Sequence, residues 1–291
     1  MQKRTHTLIL ALLSFGCFFS AAEAQKLPAV QAESVRAPSN IKIDGKATEW
    51  NDQFRAYNRA TDIFYTLSND DTRLYLTVQA KDAQVINKII AGGITFTIQP
   101  SGKKTDKDGI AVTYPLFGKR NRPYIRSTRR GAESGPHMVS DAVIGGNPDD
   151  PKLLEGDSIM RVYNKQLSDN SKYIAVTGVK TIEDPLISIY NTDGVKAEEK
   201  VDPKIVYTYE LAINLKLAGL DIKQSNTAFM YHITINGAPV FALPDDGKSG
   251  GHETLWMSVP DGNEGSTSMP ASAMGQEAST DFWGQYTLAK Q

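Results

Sequence analysis

The chain has one cysteine, Cys17, in 291 residues. It lies inside an N-terminal stretch with the features of an export signal. Lys3 and Arg4 give the positive start, Leu8 to Phe19 the apolar core, and Ala22-Glu23-Ala24 a small-residue cleavage site before Gln25. Residues 1–24 are therefore read as a signal peptide and the exported chain, periplasmic or secreted, as starting at Gln25. With the leader gone no cysteine remains, which excludes disulfides and thiolate metal sites from the exported protein. The alternative is a lipid anchor on Cys17; Phe15 before it and Phe18-Phe19 after it make a poor attachment site.

Long apolar runs are also scarce. Beyond the leader nothing approaches the roughly 18 uninterrupted apolar residues of a spanning helix, so no transmembrane segment is expected in the mature chain. An excess of charge of either sign is missing too. Removing Lys3, Arg4 and Glu23 from 32 basic and 33 acidic residues leaves 30 and 32, a formal charge of −2. General nucleic-acid binding rests on surplus Lys and Arg neutralising phosphates, and is not expected. Catalytic signatures are absent as well: there is no G-x-S-x-G, no H-E-x-x-H and no phosphate-cradling glycine loop. The chain is not read as an enzyme, although a glycoside hydrolase whose acids are distant in sequence would escape such a search, because those acids need be close only in space.

What is present is alternation. Phe64, Tyr65 and Leu67 run into Asn69-Asp70-Asp71, residues that bond their own backbone and turn the chain. Leu74, Leu76, Val78 and Ala80 then alternate with Tyr75, Thr77 and Gln79, the period of a strand with one buried face. Asp82 offers a helix N-cap, Val85, Ile86, Ile89 and Ile90 share a side of that helix, and Gly92-Gly93 would end it. Further strands are expected at Ile94 to Ile98, Ile110 to Pro115, Tyr173 to Val179, Leu186 to Tyr190, Val195 to Lys200, Val206 to Ile213 and Phe229 to Ile235. Asn191-Thr192-Asp193-Gly194 reads as a turn making Val195 to Lys200 a return strand. Between Asp149 and Leu167 the apolar residues keep no clean period, which leaves a short helix and an irregular connection equally open.

The order of these segments resembles the secreted β-sandwich modules of the family 9 carbohydrate-binding modules and the related DOMON-like sandwiches. The likeness is carried by Ile43-Asp44-Gly45 with Glu49-Trp50, by Asn69 to Asp71 leading into Leu74-Tyr75-Leu76 and Asp82, by the segment Tyr207 to Leu215, and by a closing aromatic strand from Phe282-Trp283 to Leu288. It implies an all-β fold, an antiparallel β-sandwich of jelly-roll character, here with a few short helices and long loop insertions. One domain is expected over 40–291, preceded by a spacer at 25–39 that has no period and carries Pro28 and Pro38. The resemblance also makes Trp50 and Trp283 structural aromatics, with Trp283 closing the core.

Residues 118–136 are the sharpest shift in composition, a basic stretch with Arg122, Arg126 and Tyr124 and one acid, Glu133. They are read as a long loop, since they offer little apolar surface to bury. Guanidinium forks pair with carboxylate or phosphate while an aromatic face stacks, so Arg122, Tyr124 and Arg126 are candidate ligand contacts. Trp256, between a glycine-rich loop and Pro260-Asp261-Gly262, is the tryptophan least explained by a structural motif, and is the candidate stacking platform.

Asp106 and Asp108 could supply oxygen ligands to calcium, but interleaved lysines and the lack of regular ligand spacing favour a solvated hairpin end. Met230 and His232 share a strand face, and in the DOMON-like cytochromes that the chain resembles a Met and a His hold haem; haem needs ligands on opposite sides, so this adjacent pair cannot serve as both. The leading expectation is an exported, non-catalytic module that binds carbohydrate, with no cofactor. The alternatives are a structural or protein-interaction component of the cell envelope without a sugar site, and a haem-binding DOMON-like protein. The sequence does not fix the oligomeric state.

Overall fold

The computed structural model describes residues 26–51, 53–118, 122–128, 137–139, 154–155, 157–224, 228–243, 256–260 and 278–290. Turn chemistry and alternation build its first sheet, ordered β1 (Ala56–Asn58), β2 (Ile63–Asn69), β3 (Arg73–Ala80), β12 (Tyr207–Asn214) and β11 (Val195–Val201). At the β2–β3 turn one Asp70 oxygen accepts from the Thr72 and Arg73 amides at 2.6 and 2.7 Å, and the other accepts from the Tyr75 hydroxyl at 2.6 Å. Burial works against ionisation of Asp70, yet these bonds outweigh it and hold its carboxyl below the ordinary range.

The second sheet is ordered β10 (Leu186–Ser188), β9 (Tyr173–Thr177), β5 (Ile110–Tyr114), β4 (Ile94–Gln99), β13 (Phe229–Ile235) and β15 (Thr280–Tyr286). All neighbours in both sheets are antiparallel. The sheets face each other across one core, the all-β sandwich expected. Tyr65, Leu67, Leu76, Val78, Tyr209 and Leu211 on one side meet Phe96, Ile98, Val112, Tyr231 and Ile233 on the other, all buried. Each such side chain contributes roughly 1.5–3 kcal/mol on burial. Across the gap the Tyr65 and Tyr231 hydroxyls lie 2.9 Å apart, and the Tyr114 and Tyr209 rings 6.1 Å apart.

A helix, α1 (Ala83–Gly92), links the sheets. Its N-cap Asp82 accepts from the Gln84 and Val85 amides, and Gly93, at φ 80°, ends it. The ambiguous stretch after Asp149 becomes a second helix, α2 (Asp157–Asn170), which lays Met160, Tyr163 and Leu167 on the core.

Other expectations give way. β10 and β11 do not form a hairpin, because β10 pairs with β9 in one sheet and β11 with β12 in the other. The Asn191–Gly194 turn therefore carries the chain between layers. Residues 26–39, expected as a spacer, run along the first sheet. Tyr57 donates its amide to the Pro28 carbonyl, Arg36 bridges Asn69, and Gln31 is 2% exposed. The basic stretch expected to be loop contains a strand, β6 (Tyr124–Thr128). It belongs to a third sheet, ordered β6, β14 (Trp256–Pro260), β7 (His137–Val139) and β8 (Leu154–Glu155).

Candidate functional site

The third sheet gathers residues that are far apart in sequence. β14 runs parallel to β6, with Trp256 the partner of Tyr124 and Ser258 the partner of Arg126. On its other side β14 pairs antiparallel with β7, matching Trp256 to Val139 and Ser258 to His137. Tyr124 and Arg126 thus alternate in phase with Trp256 and Ser258, and out of phase with Ile125. Ile125 is the anchor: it is 1% exposed within the main core, and the Asn87 side chain of α1 both donates to its carbonyl and accepts from its amide, at 2.6 and 2.8 Å. Arg122 leads into β6, where burial lowers the pKa of its guanidinium. The register therefore brings Tyr124, Arg126 and Trp256 together on one small sheet, with Arg122 at its approach.

Trp50 lies in a small cluster with Ala47 and Phe54, beneath Val35, Ile41 and Phe64, on the outer side of the first sheet. Trp283 differs from the expectation. The residues β15 contributes to the core are Phe282 and Tyr286, whereas Trp283 points to the opposite side and is partly exposed. Its ring stacks on His232 at 4.2 Å and 11°. His232 Nδ1 contacts both Asp106 oxygens at 2.9 and 3.1 Å, and Nε2 contacts Asp281 at 3.0 Å. Both ring nitrogens are taken up by carboxylates, so His232 holds the Asp106 loop to the sheet. Asp106, considered for calcium, is a partner of this histidine. Among the described residues no three His, Cys, Asp or Glu side chains are arranged to hold a metal ion. None of the helices described there is long and apolar enough to cross a membrane.

Two buried carboxyls complete the chemistry. Glu210, on the outer side of β12, accepts from the Asp44 and Gly45 amides at 2.8 and 2.9 Å. Gly45 has φ 74°, and a Cβ there would stand 2.9 Å from the Glu199 carbonyl carbon, so the Ile43-Asp44-Gly45 turn seats on the sheet only with glycine. Burial pushes Glu210 up to about 7, with the Asp44 and Glu49 carboxylates adding to the rise and the two amides opposing it.

On the inner side of β11, Glu199 is 2% exposed and accepts from the Tyr207 hydroxyl at 2.6 Å. Burial pushes it up to about 8 against the Tyr207 bond. Tyr114, Tyr163, Tyr207 and Tyr209 surround it, each raised above the ordinary tyrosine range by burial first and by the Glu199 charge next.

Sequence reading missed Glu199 because β11, Val-Lys-Ala-Glu-Glu-Lys-Val, carries two adjacent glutamates, and only the strand's phase tells which one enters the core. It missed the His232–Trp283 stack because the pairing of β13 with β15 is not written in either strand. Comparison with protein families, with curated proteins and with solved structures finds no match.

Proposed function

We propose that the chain is an exported, non-catalytic binding module for carbohydrate, with its site on the third sheet. The observation that supports this reading is the register of β14 on β6, which sets Trp256 beside Tyr124 and Ser258 beside Arg126. Two aromatic residues and an arginine at neighbouring register positions of one short sheet are the chemistry that a sugar ring bearing an acidic group asks for: C–H faces stack on aromatic rings, and a carboxylate or sulfate pairs with an arginine fork. The family resemblance carried by Ile43-Asp44-Gly45, Glu49-Trp50 and the Tyr207 to Leu215 segment points the same way.

A glycan-array screen on the Gln25 to Gln291 protein, run with and without a calcium chelator, tests the proposal. Binding of an acidic glycan is expected, with affinity lowered roughly tenfold or more by Trp256→Ala and by Tyr124→Ala, as for central aromatic contacts. A blank array from folded protein would sink the sugar reading and leave the cell-envelope interaction protein in its place.

A further inference from the structure

The Glu199 neighbourhood is unusual for the inside of a sandwich. Glu199 stands on β11 directly across from Tyr209 on β12, and Tyr207 of the same strand bonds one of its carboxyl oxygens. α2 closes the site from above. Its Asn164 side chain donates to the Val201 carbonyl and accepts from the Val201 amide, both at 2.8 Å, which fixes the helix on β11 and places Tyr163 over the carboxyl. Ser171, just after the helix, brings its hydroxyl close enough to Glu199 and Tyr114 to favour their charged forms slightly, short of a well-formed hydrogen bond.

Within this enclosure the second Glu199 oxygen, Oε1, and the hydroxyls of Tyr163, Tyr209 and Ser171 have no partner at full hydrogen-bond geometry among the described residues. Tyr163 and Tyr209 are 0% exposed. Buried polar groups in folded proteins are nearly all paired, so one carboxyl oxygen and three hydroxyls left over in one enclosure need a common explanation.

We infer that Glu199 Oε1, Tyr163 Oη and Tyr209 Oη line an internal hydration site beneath α2, in which ordered water bridges the carboxyl to the two phenols. Two features select water over other guests. The ring of groups is all oxygen, with hydroxyls that both donate and accept, which suits a molecule making two to four hydrogen bonds. An alkali cation would need a charged carboxylate, and burial disfavours the charged form of Glu199.

Removing one hydroxyl at a time tests the inference, because the sign of the effect differs between a bridged and an orphaned phenol. Tyr163→Phe and Tyr209→Phe keep the ring and its packing. A phenol bonded to water loses that bond in the variant, and the unfolding equilibrium constant is expected to rise about fivefold or more in each. The double variant should cost less than the sum of the singles, since both hydroxyls serve the same water. A phenol that is truly unpaired does the reverse, and Phe then raises the denaturation midpoint. Stabilisation by either single variant overturns the inference. So does an unfolding midpoint that climbs with sodium or potassium but not with choline at equal ionic strength, which would make the guest a cation. A crystal structure showing density between Tyr163 Oη and Glu199 Oε1 that is lost in Tyr163→Phe is the direct confirmation.

Discussion

Glu199 and Glu210 leave water on folding while still able to ionise, and this sets a direction for stability against pH. Their folded pKa values, about 8 and about 7, lie above the ordinary glutamate range of about 4.3. The folded state therefore binds protons that the unfolded state has released, and stability falls as pH rises from about 5 through 7 to 8, then levels. Below the ordinary range both states are protonated and the penalty vanishes. Glu199→Gln keeps the shape and the bond from Tyr207 while removing the ionisation. Urea midpoints measured from pH 5 to 9 should decline in the native protein and much less in Glu199→Gln, which is expected to be the more stable of the two at pH 9 by about 1–3 kcal/mol. Equal slopes for the two would mean that Glu199 does not carry the pH dependence.

The strands and α1 were legible because their signals are local. Leu74 to Ala80 form a strand, Asp82 caps and Gly93 ends the helix as read, although the strand is covered on both faces, with Tyr75, Thr77 and Gln79 buried as well as Leu74, Leu76 and Val78. What escaped depends on partners distant in sequence. A recurring example is the side-chain amide that clasps a strand: Gln31 at Leu67, Asn87 at Ile125 and Asn164 at Val201 each both donate to and accept from one residue's backbone. Each acts where, among the described residues, no neighbouring strand completes the ladder, and takes the place of one. Nothing in the sequence distinguishes Asn164 from a surface asparagine on the polar side of α2. Asn164→Leu should leave the Val201 amide and carbonyl unpaired, costing about 1–3 kcal/mol in chemical denaturation and loosening α2 from β11. Hydrogen exchange at the Val201 amide reads this directly: unchanged protection in the variant would show that the clasp contributes nothing.

At the scale of the whole molecule, the candidate site and the sandwich differ in how far the sequence exposes them. Tyr124, Arg126 and Trp256 stood out by composition, but only the pairing of β6 with β14 puts Trp256 opposite Tyr124 and Ser258 opposite Arg126, across more than a hundred residues of chain. The N-terminal strap stood out least. Its composition suggests a tether, yet Gln31 donates its amide to the Tyr65 hydroxyl at 2.9 Å, joining the strap to the Tyr65–Tyr231 pair that spans both sheets. Val35 exchanges bonds with the Tyr286 hydroxyl in the last strand, each at 3.0 Å, and Arg36 reaches the Ala289 carbonyl. The strap thus ties residues 26–39 to both sheets and to Tyr286 and Ala289. A protein beginning at Asn40 loses all of these bonds and uncovers the upper half of β2 beyond the end of β1. It should unfold at a lower denaturant concentration than the protein beginning at Gln25, by about 3 kcal/mol or more, as expected when several buried hydrogen bonds are lost together. The uncovered β2 backbone should also make it self-associate, which light scattering at matched concentration would detect. If the two proteins unfold at the same midpoint and both remain monodisperse, residues 26–39 are a tether after all, and the sandwich is complete without them.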